Sequence, residues 1–97
     1  MAGGLTEGLS SSASAQFLVL RQRYVAGLES RWTEIATAGD TQARLAALHR
    51  LAGSAASFGF ERLGLCARVA QTRAAEGNAA ALAVALDELQ AEMGRLA

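Results

Sequence analysis

From Phe17 onward, apolar residues recur along this chain at intervals of three and four, the spacing of one face of an α-helix. Phe17, Leu20, Tyr24, Leu28 and Ile35 fall within one narrow stripe. Arg31 interrupts it, so its side chain either snorkels to solvent or marks a bend in the helix. A second stripe joins Leu45, Leu48, Leu51, Ala55 and Phe58; a third joins Phe60, Leu63, Ala67 and Ala70, with Cys66 on its shoulder. The last steps through Leu82, Leu86, Leu89, Met93 and Leu96 in a four-three-four-three seam suited to bundle packing.

Three junctions separate the stripes: Gly39-Asp40, Gly59-Phe60-Glu61 and Gly77-Asn78. Glycine just past a helix end takes a left-handed backbone that side chains resist, and Asp or Asn can then cap the next helix. The absence of proline and the near-absence of consecutive β-branched residues argue against strands. The alanine tract from Ala74 to Ala85 reads as a strong helix former, because alanine loses no side-chain entropy in a helix. Four amphipathic helices with short connections predict an all-α fold, an antiparallel up-down four-helix bundle running from about Ser14 to Met93. Residues 1–12, rich in Gly and Ser, are expected to form a flexible tail, with room for a short extra helical turn around Leu5 to Leu9; residues 13–97 form the bundle.

Composition narrows the function. A chain of 97 residues makes one domain, with one core and little volume for a deep substrate cavity. Nine arginines, no lysine and nine acidic residues give a net charge of zero, which removes the electrostatic footprint of a nucleic-acid binder or a polybasic membrane anchor. The longest apolar run, Ala79 to Leu86, has eight residues, far short of the about 20 that a spanning helix needs. With no signal-like block at the N-terminus, the expectation is a cytoplasmic protein that does not insert into membranes. A single cysteine cannot form an internal disulfide.

Inventory removes most chemistry. One His and one Cys on different helices fall short of a zinc site. No paired Glu-x-x-His motif is present for a di-iron bundle, and no Gly-rich loop leads to a lysine. No metal site and no cofactor of its own are therefore expected. Cys66, on the shoulder of the core, reads as a small inert hydrophobe.

His49 remains. With Leu48 at the centre of the second helix's apolar face, His49 lies about 100° away, at the edge of the buried stripe. Its flank carries Gln42, Ala46, Gly53 and Ala56, nearly all of them tiny. Gly53 stands one turn beyond His49 in a helix interior, where glycine costs about 1 kcal/mol relative to alanine. On the third helix, Gln71 lies about 80° to the same rotational side of Leu63, beside Gly64. His49 is about 15 Å from the Gly59 turn and Gln71 about 18 Å, so the two are expected within reach of one another.

The run His49-Arg50-Leu51-Ala52-Gly53-Ser54-Ala55-Ala56-Ser57-Phe58-Gly59-Phe60, followed by Leu63, Cys66 and Gln71, resembles the histidine-containing phosphotransfer (HPt) domain. The resemblance is specific over Asp40 to about Gly77 and architectural elsewhere. It implies that His49 is the phosphoacceptor of a multistep two-component phosphorelay and that Gln71 holds its imidazole. It also implies that Gly53 opens the surface to a partner. The family's lysine three residues after the histidine is Ala52 here; Arg68 is the better candidate to supply the missing charge, ahead of Arg50. The implied partners are response-regulator receiver domains or a hybrid sensor histidine kinase, with Mg²⁺ expected from the receiver. The resemblance implies a phosphocarrier module, not an independent enzyme. A degenerate scaffold that docks receivers without carrying phosphate is the alternative, and a bundle oligomerising through Leu18, Leu65 and Val69 is a third reading.

Overall fold

The computed structural model describes residues 2–97, with side chains from residue 13 onward. Its elements are α1 (Ala2–Ala26), α2 (Leu28–Ala36), α3 (Thr41–Ser57), α4 (Glu61–Glu76) and α5 (Ala79–Leu96), with no strand among the described residues. α1 and α2 make one rod. Gly27 between them keeps a right-handed backbone (φ −90°, ψ −1°), and its carbonyl accepts the Arg31 N–H at 3.2 Å. The bundle is therefore the predicted four helices, the first of them interrupted at Gly27.

Helical backbone continues upstream of the predicted start near Ser14 as far as Ala2. No proline stands in the way, and each residue added to a formed helix costs little. The side chains of residues 1–12, and with them the flexibility expected of that stretch, lie outside the described residues.

Local chemistry sets the breaks. The Asp40 carboxylate accepts the Ala43 N–H at 2.7 Å and opens α3; the Asn78 side chain accepts the Ala81 N–H at 3.0 Å and opens α5. Gly59 (φ 79°) and Gly77 (φ 73°) take the left-handed backbone. Gly39 does not. α2 ends earlier, at Thr37, whose hydroxyl donates to the Thr33 carbonyl at 2.6 Å, so Gly39 falls past the position where a left-handed residue is needed.

Leu28, Ile35, Leu48, Leu51, Leu63 and Leu89 fill the core. Alanines at 47, 52, 55, 67, 70, 74 and 85 are buried around them and let the helices approach. At Gly64 α4 faces α3 closely enough that an added Cβ would lie 3.5 Å from the Ala52 carbonyl oxygen and 3.9 Å from the Ala55 Cβ.

At the end of the bundle marked by the α3–α4 turn, Tyr24 stacks on Phe58 (4.8 Å between centroids) and faces Phe60 (5.9 Å). Its hydroxyl shares a 2.7 Å hydrogen bond with Ser54. Arg31 rests its guanidinium over the Tyr24 ring at 4.9 Å, a cation–π contact that accommodates a charge within the apolar stripe. Glu92 is only 7% exposed, tied to Arg95 (Nε donating to Oε2 at 3.0 Å) and 4.0 Å from Arg62. The hydrogen bond from Arg95 holds the Glu92 carboxyl below its ordinary range.

The first stripe is only half used. Tyr24, Leu28 and Ile35 are buried, whereas Phe17 and Leu20 are exposed. The molecule measures 61 × 21 × 20 Å, while α5, at 1.5 Å per residue, is only about 27 Å long. α1 overruns the bundle, so its apolar residues around Phe17 to Leu20 are only partly covered: Phe17 stacks on Phe58 at 6.2 Å and stays exposed.

Candidate functional site

His49 sits in the middle of α3 and is exposed. Leu48 beside it is fully buried; a step of about 100° carries the chain from core to solvent. The neighbours on that flank, Gln42, Ala46, Gly53 and Ala56, are all exposed as well. Nothing lies within 4 Å of where a Cβ on Gly53 would be. The imidazole therefore stands above a shallow floor of small side chains.

Across the seam, α4 presents Gly64, Arg68 and Gln71 toward the same side. The contacts of Gly64 with Ala52, Ala55 and Ala56 fix the register of the antiparallel pair. Seven residues further along α4, Gln71 falls level with about Ala47, roughly 3 Å along the axis from His49. Half-buried, it lines a cleft with Leu45, Thr72, Ala75 and Glu76. No hydrogen bond joins it to His49 among the described residues. The expected pairing thus stands as a neighbourhood and not as a contact: the register places Gln71 between His49 and Leu45, and it rests on the Leu45 side.

The two candidate cations separate. Arg50 forms an ion pair with Glu34 of α2, on the side of α3 turned away from His49. Arg68 is exposed and makes no ion pair among the described residues. Ala52, at the position of the family lysine, is buried between α3 and α4 with its carbonyl beside Gly64. Gly64 matters more than its place in the sequence suggests. It lies against the Ala52 carbonyl and Ala55 of the facing helix, with space for at most a methyl, and a glycine in a helix interior was the available signal.

Cys66 is partly buried on the opposite flank of α4, and burial, with Glu92 and Glu88 adding to it, pushes its thiol up. A raised thiol is a poor nucleophile at neutral pH. Among the described residues no three His, Cys, Asp or Glu side chains converge to hold a metal, and no helix is long and apolar enough to cross a membrane.

What the geometry defines is a four-helix bundle with a lone histidine displayed on a face of small residues. Residues 12–97 match the family model of the Hpt domain, and the chain belongs to that family, whose members are phosphocarrier modules of phosphorelays. No curated protein and no solved structure matches the chain.

Proposed function

We propose that this protein is a phosphorelay carrier that accepts a phosphoryl group on His49 and exchanges it with the aspartate of a receiver domain. The observation that carries the reading is the open ground at Gly53. A mid-helix glycine costs about 1 kcal/mol, and no atom of this chain occupies the space it leaves. A surface cleared for no internal reason, one turn from an exposed histidine, suits the close approach of another protein.

In the proposed step a neutral imidazole nitrogen of His49 attacks the phosphorus of an aspartyl phosphate. The N–P bond forms, the P–O bond to the aspartate breaks, and the carboxylate departs with its electron pair. Such transfer depends on in-line placement and charge neutralisation more than on covalent machinery. Mg²⁺ belongs to the receiver's acidic pocket in this reading. In this reading Arg68, exposed and outside every ion pair among the described residues, neutralises the phosphoryl oxygens, and Gln71 turns from the Leu45 side to accept from one ring nitrogen once the other is engaged. The protein is expected to work in the cytoplasm, where receivers and hybrid kinases are found.

The test uses a receiver domain phosphorylated with radiolabel. Acid-labile label should pass to the wild-type protein and be absent from His49→Gln, which should still bind the receiver and unfold within about 0.5 kcal/mol of wild type. Gln71→Ala should slow transfer without abolishing it, since the nucleophile remains while its orientation is lost. The scaffold reading is favoured by one feature, the buried Ala52 in place of a basic residue. Wild-type protein that binds the receiver but takes no label, beside a control carrier that does, would establish it.

A further inference from the structure

We propose that the end of the bundle at the α3–α4 turn carries, on its α1–α5 side, a docking groove for an acidic amphipathic helix of a partner protein. Two hollows meet there. The first, about 360 Å³, is apolar, bordered by Leu18 and Val25 of α1, Phe60 at the head of α4 and Leu96 of α5. The second, about 300 Å³, is edged by Arg21, Arg62 and Arg95, with Glu61 and Glu92. Arg21, Phe60 and Leu96 border both, so the hollows form one groove, apolar on one side and cationic on the other. On α1 its wall is a single stripe: Leu18, Arg21, Gln22 and Val25 follow at intervals of three and four. Leu18 and Val25 stand two turns apart, about 10 Å, the spacing at which a docked helix sets its own i and i+7 anchors. Leu18 is 54% exposed, and Val25 and Leu96 are half-buried, so apolar surface stays uncovered along this stripe.

Charge selects the partner. The Arg21 guanidinium rests on the Phe60 ring at 4.3 Å, and its Nε is buried with no hydrogen-bond partner. No carboxylate among the described residues pairs with it. Glu92 is already taken: it accepts from Arg95 and lies 4.0 Å from Arg62, one carboxylate between two guanidiniums. Arg62 and Arg95 keep 75 and 58% of their side chains exposed. With Glu61 counted, three positive groups meet two negative ones around the hollow, and the surplus is positive. Guanidinium binds carboxylate through paired, parallel hydrogen bonds, so a Glu or Asp one turn from the partner's apolar anchors finds its place here. Both hollows lie open to solvent, which suits a helix laid along them better than a small molecule that must be enclosed. α2 packs on α3 and α5, and α4 packs on the same two helices. The α1–α5 side therefore lies opposite the α3–α4 seam that displays His49, and the two surfaces can be occupied at once.

The probe is a synthetic alanine-based peptide of about 16 residues, long enough to form a helix, with leucines at i, i+3 and i+7 and glutamates beside them. Titrated into the isotope-labelled full chain, it should shift the amide resonances of Leu18, Val25, Arg62 and Leu96 and leave those of His49 and Gly53 in place. Binding should weaken as salt rises. The same peptide with lysine for glutamate should bind at least about tenfold more weakly. Leu18→Glu, outside the bundle core, should cost at least about tenfold in affinity, and Arg62→Gln about threefold, as for an exposed charge pair. If Arg62→Gln loosens the fold by releasing Glu92, Leu18→Glu with an unchanged melting temperature still decides the matter. No binding at millimolar peptide, equal binding of the lysine peptide, or shifts centred on α3 overturn the proposal. Retention of the chain on phosphatidylglycerol vesicles without a response to the peptide assigns the groove to a membrane surface. Self-association that Leu18→Glu abolishes assigns it to a second copy; either result overturns the partner named here.

Discussion

Gly53 and Gly64 stand in the interiors of adjacent helices, on the same side of the seam that α3 and α4 share, and their surroundings are opposite. Around Gly64 an added Cβ would already touch the Ala52 carbonyl oxygen at 3.5 Å and the Ala55 Cβ at 3.9 Å, leaving no space for anything larger than a methyl; around Gly53 there is nothing within 4 Å. Each glycine gives up helix propensity. For Gly64 the return is inside the chain, in the close approach of two helices. For Gly53 no return inside the chain exists, which turns attention to whatever approaches His49 from outside. Gly94 is equally open, but it lies in the last turn of α5, where helix ends fray and the loss is small.

The closed side of this comparison should give the largest response. Gly64→Leu forces branched carbon into the space held by the Ala52 carbonyl, and overpacking of that kind costs roughly 1–3 kcal/mol. For a domain of this size thermal unfolding should fall by about 4–8 °C per kcal/mol. If the variant melts with wild type, the close approach of α3 and α4 is not what Gly64 provides, and the contrast with Gly53 collapses.

Most of the closed side was legible in the sequence. Stripes of leucine and alanine located the cores of α3, α4 and α5, and Asp40 and Asn78 announced their helices because a side-chain carbonyl or carboxylate is the local device for an unpaired N–H. Gly59 and Gly77 gave the turns for an equally local reason. Elsewhere the determinant was not local. Phe17 and Leu20 share the periodicity of Tyr24 and Leu28, yet periodicity says which face is apolar and not how far the neighbouring helices extend. His49 was placed at the rim of the stripe and is exposed, and its axial offset from Gln71, about 3 Å, agrees with the spacing of the two from the Gly59 turn; what spacing could not show is the direction of the Gln71 side chain, which lines a cleft with Leu45. Glu92 was missed because a carboxylate on a helix reads as solvated; its burial depends on Arg62 from α4 and on Arg95 one turn along.

That carboxylate sharpens the inside of the comparison. Glu92 has its titration held low by the Arg95 hydrogen bond, so its contribution is fully present at neutral pH and is lost as pH falls through the depressed folded value, below the ordinary glutamate range near ~4.3. Glu92→Gln keeps the shape and removes the charge. At pH 7 it should lower the melting temperature, by an amount kept small by the exposure of Arg95 and Arg62 to solvent. Between neutral and acid conditions its loss of stability should be shallower than that of wild type. Parallel acid limbs for the two proteins would mean that the charge on Glu92, paired with Arg95 in its own helix and near Arg62 of α4, contributes nothing to stability.

The smallest effect carries the most information about function. Gly53→Ala adds a methyl group to a surface where no atom of the chain meets it, and it removes the backbone freedom that glycine has in the unfolded chain. The variant should therefore be more stable by about 0.5–1 kcal/mol, read as a rise in melting temperature. If the open ground serves a partner, this more stable protein should take label from a phosphorylated receiver more slowly, through weaker docking and without any change in the chemistry at His49. Gly53→Leu should extend the trend in transfer while leaving the fold intact. Stability and transfer moving in opposite directions is the signature of a surface kept clear for another molecule. If Gly53→Ala gains stability and transfers at the wild-type rate, Gly53 is an ordinary helix defect, and the case for a docking face at His49 rests on the family alone.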